Sequence, residues 1–270
     1  MSEQKAPSPA LPATTVLLLR PSRRQGGASA VEVFMVVRHH KIDSFSGALV
    51  FPGGKLEDAD GDPRVRARCA GADGVDDAEL KFRVAGVREA FEECGILLAR
   101  KRGAAALIGA AELAPIEARW RERLAKDDAS ILDMVEAEDL ELVVEGMVPY
   151  AHWITPAMVP KRFDTWFFVA AAPADQVALH DGSESVDSVW IEPNQAVAEA
   201  DAGQRTMVFP TRQNLLMLGE SPTVEAAIET SRRRPVVTVL PVVKDFDGKK
   251  FLTIPENAGY KITRVARESA

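Results

Sequence analysis

Cysteine is scarce in this chain of 270 residues, which carries only Cys69 and Cys94. Two cysteines cannot frame a disulfide scaffold, and neither stands at zinc-ligand spacing from the four histidines. Long apolar runs are missing as well, so no membrane-spanning segment is expected. The polar, proline-containing start MSEQKAPSPALPA does not read as a signal peptide, and the closing Arg267-Glu268-Ser269-Ala270 is not a peroxisomal address. A cytoplasmic location is the default expectation. No basic stripe stands out, and the formal net charge is −7, which argues against a general nucleic-acid binder. There is no G-x-S-x-G elbow, and Gly53-Gly54-Lys55-Leu56 lacks the spacing and hydroxyl of a P-loop. No internal repeat is evident. The length allows one large domain or two small ones.

What is present concentrates in two stretches, Gly47 to Gly54 (GALVFPGG) and Val84 to Ile96 (VAGVREAFEECGI). At roughly 100° per residue, Val84, Val87 and Phe91 share one side of a helix, while Glu89, Glu92 and Glu93 fall within an arc of about 100° on another. Gly95 stands where a left-handed cap would end that helix. Alone, such an acidic stripe is more often a solvated face. Yet Glu89 and Glu93 are like charges one turn apart, and Glu92 and Glu93 lie near the negative end of the helix dipole. Crowded carboxylates become favourable around a hard divalent cation such as Mg²⁺ or Mn²⁺. Pro52-Gly53-Gly54 is a tight turn after the apolar run Ala48-Leu49-Val50-Phe51, and paired glycines let backbone approach a ligand closely.

Together the two stretches resemble the Nudix box, G-x5-E-x7-R-E-U-x-E-E-x-G-U, where U is a bulky apolar residue. Gly54 matches its first glycine, and Arg88, Glu89, Glu92, Glu93, Gly95 and Ile96 match its second half. Asp60 stands in place of the first glutamate, Ala90 in place of the first U, and the spacer is lengthened to Gly61 to Val87. Either Asp60 or Glu79 then serves as partner for Arg88. The long spacer, an alanine- and charge-rich stretch from Leu97 to Glu145, and WITPAMVPKRFDTWFF resemble the branch that includes peroxisomal coenzyme A diphosphatases. A coenzyme A motif ending in F-P-G-G is partly matched by Arg38, Gly47, Phe51, Pro52, Gly53 and Gly54. His39 replaces its small residue, and Asp43 replaces its second arginine. That loss argues against coenzyme A without touching the diphosphate chemistry.

The resemblance implies an α/β fold, a Nudix-like α/β/α sandwich with a mixed sheet and an inserted helical segment. It implies metal-assisted hydrolysis of a small-molecule diphosphate. Gly54, Glu89, Glu92 and Glu93 would hold Mg²⁺ or Mn²⁺. Glu89, Glu184 or Glu192 would act as base, with Arg88 orienting the carboxylates and Arg38, Phe51 and Gly53 meeting substrate. Coenzyme A, acyl-coenzyme A, ADP-ribose and NADH are the candidate substrates, and a non-catalytic nucleotide-binding protein is the rival from another class. Homo-oligomerisation is left open.

Along the chain, residues 1–12 are expected as a disordered tail, 13–218 as the catalytic domain, and 219–270 as an extension with a helix and a hairpin. Strands are expected at Thr14 to Leu19, Val31 to Arg38 (buried in its second half), Arg162 to Ala170 and Val186 to Ile191. Arg38-His39-His40-Lys41 would be a basic loop, and Gly61 to Asp77 a loose or partly helical one. Helices are expected at Ala78 to Cys94, Ala104 to Leu113, Pro115 to Lys126, Ile131 to Glu138, Pro193 to Ala202, Thr211 to Leu218 and Thr223 to Arg233. Trp153 reads as a buried aromatic rather than a base-stacking one. Arg162 and Asp164 would pair with each other or face the site. Pro235 to Pro241 and Lys250 to Ile254 would form a hairpin about Asp247-Gly248.

Overall fold

The computed structural model describes residues 8–22, 31–39, 47–182 and 185–266. His40, Lys41, Asp43 and Glu184, and residues 1–7 of the expected tail, lie outside them. In chain order the elements are β1 Ala10–Pro21, β2 Val31–Arg38, β3 Leu49–Val50, α1 Pro63–Arg66, β4 Cys69–Ala70 and α2 Asp77–Cys94. Next come β5 Ala99–Lys101, α3 Ala110–Ala125, α4 Ile131–Ala137, β6 Leu140–Val143, β7 Val148–Ile154, β8 Arg162–Ala171 and β9 Ser185–Ile191. The chain continues with α5 Pro193–Asp201, α6 Phe209–Leu218, α7 Val224–Arg233, β10 Thr238–Val239, β11 Val242–Phe246, β12 Lys249–Thr253 and β13 Arg264–Ala266.

The frame is a seven-stranded mixed sheet of order β10-β7-β8-β1-β2-β3, with β9 also paired to β2. β1 runs parallel to β8, and β2 is antiparallel to β1, β3 and β9. Successive side chains of a strand point to opposite faces. Val16, Leu18, Phe34 and Val36 therefore pack under α2, α3 and α4, while Leu17, Leu19, Val33 and Met35 pack against α5, α6 and α7. Strands buried on both sides explain the unbroken apolar runs of β1 and β2, and the result is the expected α/β/α sandwich.

Several boundaries differ from the sequence reading. β1 begins at Ala10, because Ala10 to Pro12 pair with Arg162 to Asp164 of β8. β2 is buried over its first six residues rather than its second half. The spacer segment is partly helical through α1, one of the two forms expected of it, and it also holds the short strand β4. Residues 104–109 are not helical. Pro115 lies inside α3 instead of starting it, since Leu113, Ile116, Trp120 and Leu124 bury one face across the proline. β5 and β6 join β4 in a small second sheet, so the insert is not purely helical. β7 is a strand despite Pro149. Pro149 sits opposite Phe168 of β8 beside a bulge before Ala151, and β10 meets β7 only at His152 and Trp153, so among the described residues the proline stands at a bulge with no second strand beside it.

The region after 218 is tied into the sandwich. β10 is a strand of the main sheet, and Val224, Ala227, Ile254 and Tyr260 are buried in its core. The hairpin forms about Asp247 and Gly248, at φ 52° and 79°, the doubly positive turn that Asp-Gly favours, but its first arm is β11, Val242–Phe246, rather than Pro235 to Pro241, because Thr238 and Val239 pair with β7 instead. Trp153 is buried, 3 % exposed, and donates to the Tyr260 hydroxyl. No helix among the described residues is long and apolar enough to cross a membrane.

Candidate active site

β2 leaves β1 after Leu19, and the chain from Pro52 to Leu56 takes its place beside the first half of β1. Val16 N–H donates to Pro52 O and Thr14 N–H to Gly54 O, each at 2.9 Å, and Leu56 N–H donates to Pro12 O. The approach leaves no room for side chains. A Cβ on Gly53 would lie 2.2 Å from Thr14 O, and one on Gly54 would lie 2.4 Å from Glu89 Oε1. The glycine pair is thus required by contact with β1 on one side and with α2 on the other.

α2 delivers the charged groups. Asp76 caps its start, accepting from Glu79 N–H at 2.8 Å, and Gly95 ends it at φ 69°. Val84, Val87 and Phe91 are fully buried, as their spacing predicts. Arg88, Glu89 and Glu92 are also buried, at 2 %, 7 % and 8 % exposure. The acidic stripe is therefore not a solvated face.

Arg88 is the hub of this cluster. Its Nε and Nη2 clamp Asp60 at 3.0 and 3.1 Å, and Nη2 also donates to Lys55 O at 2.8 Å. Its Nη1 lies 3.0 Å from Glu57 Oε1, 3.0 Å from Glu89 Oε1 and 3.3 Å from both Glu92 oxygens. Asp60 in turn accepts from Glu57 N–H at 2.7 Å. Asp60, not Glu79, is thus the partner of Arg88. Glu79 binds Arg83 one turn along instead, because α1 and β4 fold the long spacer back and set Asp60 against the helix. Glu57 was missed by sequence reasoning, since no motif position marks it.

One arginine thus faces four carboxylates, and the imbalance shows in their protonation. Burial pushes Glu89 up to about 8, the Glu92 charge and Asp60 adding to it against the opposing pull of Arg88. Burial likewise pushes Glu92 up to about 7 and raises Glu57. Burial alone would lower Arg88, but its bonds to Asp60 and the charges of Glu89 and Glu92 raise it instead, so it stays charged. Between about pH 4.5 and 8 the folded Glu89 carboxyl holds a proton that the unfolded one has released, so this group removes stability as pH rises. Metal-free Glu89→Gln is accordingly expected to be more stable than wild type near pH 8, with the difference vanishing near about pH 5. Urea unfolding at the two pH values reads this, and a difference independent of pH would refute it.

Glu93 is half-buried, and its Oε2 accepts from Gly53 N–H at 3.0 Å. Among the described residues no three acidic, histidine or cysteine side chains already form a single ion-binding group. Glu89 and Glu92 lean on Arg88, and Glu93 leans on Gly53. The donor set itself fits a hard divalent cation. It offers only oxygens, it carries more negative charge than Arg88 offsets, and two of its carboxylates are disfavoured as anions by burial.

Arg38 ends β2 beside this set. With Val36, Val50, Phe51, Glu93 and Ser185 it lines a cavity of about 10 Å³, room for about one water. Its buried Nε has no hydrogen-bond partner among the described residues. Phe51 is a buried core residue, 4 % exposed, so it supports the wall and offers little surface to a substrate. Glu192 is not in the site. It precedes α5 and accepts from Ser22 just beyond β1, at the opposite end of that strand from Thr14. Arg162 donates to Thr155 O and Ser8 O, and Asp164 pairs with His152, so these two neither pair with each other nor reach the carboxylates. A wider cleft of about 650 Å³ opens at the far end of α2, by Glu79, Arg83, Trp166 and Arg234, and shares none of the site's carboxylates.

Comparison with known proteins identifies the family and the fold. The family described as the NUDT19 Nudix domain matches residues 66–212, more than half of the chain. A human relative named acyl-coenzyme A diphosphatase NUDT19 is 34 % identical over 125 residues, 44 % of this chain and 33 % of that protein. A Caenorhabditis elegans relative named putative nudix hydrolase 7 is 27 % identical over 198 residues, covering 70 % of this chain and 56 % of that protein. The chain therefore spans between a third and a little over half of the length of these relatives. The crystal structure of a NUDIX hydrolase from Alicyclobacillus acidocaldarius superposes with a TM-score of 0.65 at 22 % identity, covering 82 % of this chain and 96 % of that one, and shares the fold. Fold, box and family match converge: the chain belongs to the Nudix hydrolases, in the branch that includes NUDT19.

Proposed function

We propose that this chain hydrolyses the diphosphate linkage of a nucleoside-diphosphate-linked metabolite, with coenzyme A or acyl-coenzyme A as the preferred substrate class and Mg²⁺ or Mn²⁺ as cofactor. The observation that carries the reading is the cluster of four carboxylates, Glu57, Asp60, Glu89 and Glu92, gathered about the single cation of Arg88 beside Gly53 and Gly54. Glu89, Glu92, Glu93 and the Gly54 carbonyl are the groups to hold the metal, which when bound offsets the charge that develops on the diphosphate oxygens. Arg88 orients Glu89 and Glu92 through hydrogen bonds while Asp60 fixes Arg88. The guanidinium of Arg38, whose buried Nε has no hydrogen-bond partner among the described residues, is the group to meet a substrate phosphate. A cation bound beside Glu89 would favour its ionised form, and in that form Glu89 is the group to take a proton from the attacking water.

The coenzyme A preference is supported by the name of the human relative and by the partial coenzyme A motif ending in Gly54. A second reading, ADP-ribose or NADH as substrate, is favoured by Asp43 standing where that motif has an arginine. A binding protein without hydrolysis is disfavoured, because Glu89, Glu92 and Glu93 crowd like charges onto one helix end, which has no evident purpose without a metal, and Asp60 still pairs with Arg88 despite the lengthened spacer.

The test is release of phosphate monoesters from coenzyme A, an acyl-coenzyme A, NADH and ADP-ribose, with Mg²⁺, Mn²⁺ or chelator. Turnover that requires metal and is fastest on the coenzyme A pair is the expected result. Metal-dependent turnover fastest on ADP-ribose or NADH selects the second reading. Binding of one of the four with cleavage of none overturns the enzyme reading.

A further inference from the structure

An α-helix ends with carbonyl groups that have no partner within it. At the end of α2 every one of them has found a partner. Ala90 O accepts from Ile96 N–H at 3.2 Å and Phe91 O from Gly95 N–H at 2.9 Å, the bonds of a glycine cap. Cys94 O accepts from Leu179 N–H at 3.0 Å, in the loop between β8 and β9. The remaining two, Glu92 O and Glu93 O, are taken by one side chain of the inserted segment. Arg121 of α3 donates from Nε to Glu92 O at 2.9 Å and from Nη2 to Glu93 O at 3.0 Å. The same Nη2 donates to Leu179 O at 2.7 Å, and Nη1 donates to Glu117 Oε1 at 2.7 Å.

The Arg121 side chain is 17 % exposed and is aimed by Glu117 one turn earlier. Gly95 leaves it space, since a Cβ there would lie 2.9 Å from Glu117 Oε1 and 3.0 Å from Arg121 Nη1. A planar guanidinium with several donors can satisfy three carbonyls from two chain segments at once, which an ammonium on a flexible stem cannot match. Its charge also complements the negative end of the helix. The two carbonyls it holds belong to the two residues whose carboxylates face Arg88 and Gly53.

We propose that Arg121 is a positioning residue that fixes the last turn of α2, and so presents Glu92 and Glu93 for cation binding. The insert thereby acts as a brace on the metal-binding helix, and the loop before β9 is locked to the same helix end. The inference rests on the metal-binding part of the proposed function.

The test titrates Mn²⁺ into the purified full chain by calorimetry for wild type, Arg121→Met, Arg121→Lys and Arg119→Ala, with the fold checked by circular dichroism. Arg119 lies on the same helix but pairs with Glu138 on the surface, so it controls for damage to α3. Arg121→Met is expected to bind Mn²⁺ about 10–100-fold more weakly, as loss of a supporting hydrogen bond around a metal typically does. Arg121→Lys should fall between, and Arg119→Ala should match wild type. At saturating Mn²⁺, kcat should drop in Arg121→Met while KM for the diphosphate moves by less than about three-fold. If Arg121→Met fails to fold, Arg121→Lys carries the comparison. Mn²⁺ affinity within about two-fold of wild type in a folded Arg121 variant would overturn the proposal. A wild-type chain that takes up no Mn²⁺ would overturn the metal-binding reading itself, and this inference with it.

Discussion

Exchange of Arg88 for alanine is expected to lower the stability of the folded chain by about 3–5 kcal/mol, the cost of stranding buried charge when one partner is removed. Asp60 is 2 % exposed and takes two of its bonds from this guanidinium, so among the described residues it would be left buried with only the Glu57 N–H as donor and no cation beside it. Lys55 O would lose its donor as well. Globular domains hold about 5–15 kcal/mol in all, so this single exchange removes a large share. Urea unfolding near neutral pH measures it, and a loss below about 1 kcal/mol would show that Arg88 is not holding the cluster. Asp60→Asn should cost less, because its amide oxygen still accepts from Arg88. A double-mutant cycle between the two positions separates their coupling from the individual losses.

Turnover is expected to fall by about 10²–10³-fold in Glu92→Gln, and by a similar factor in Glu93→Gln, with the fold preserved. Glutamine keeps the size of the side chain and one oxygen but loses the negative charge that binds a cation. Glu93→Gln can still accept from Gly53 N–H, so the contact of the glycine turn with α2 survives and the loss falls on chemistry. Glu92→Gln relieves crowding around Arg88, so the metal-free variant should be no less stable than wild type near pH 8. Glu79→Gln is the control. It lies about 20 Å along the helix axis from Glu92 and serves Arg83. Loss of activity in Glu79→Gln equal to that in Glu92→Gln would sink the assignment. So would full activity in both Glu92→Gln and Glu93→Gln.

The sequence by itself determined the family motif and the local form of the helix that carries it. Spacing placed Glu89, Glu92 and Glu93 on one arc of α2 and Val84, Val87 and Phe91 on another, because the helical period is a property of the backbone. Gly95 could be read as the cap and Asp247-Gly248 as the turn because positive φ selects few residue types. Tertiary structure decided what local rules do not encode. The choice of Asp60 over Glu79 for Arg88 depends on how the long spacer folds back, and Glu57 enters the cluster only because that fold carries it there. Phe51 is core rather than contact surface because Leu49 to Phe51 run beneath the second helical layer. Arg162 and Asp164 look chemically apt but are drawn to Thr155, Ser8 and His152 by strand register. β10 and α7 belong to the main sandwich, although the sequence alone reads residues 219–270 as an extension beyond the catalytic domain. The brace of Arg121 on α2 joins residues far apart in sequence. In these cases the deciding contacts, whether hydrogen bonds or apolar packing, join groups that only the folded chain brings together.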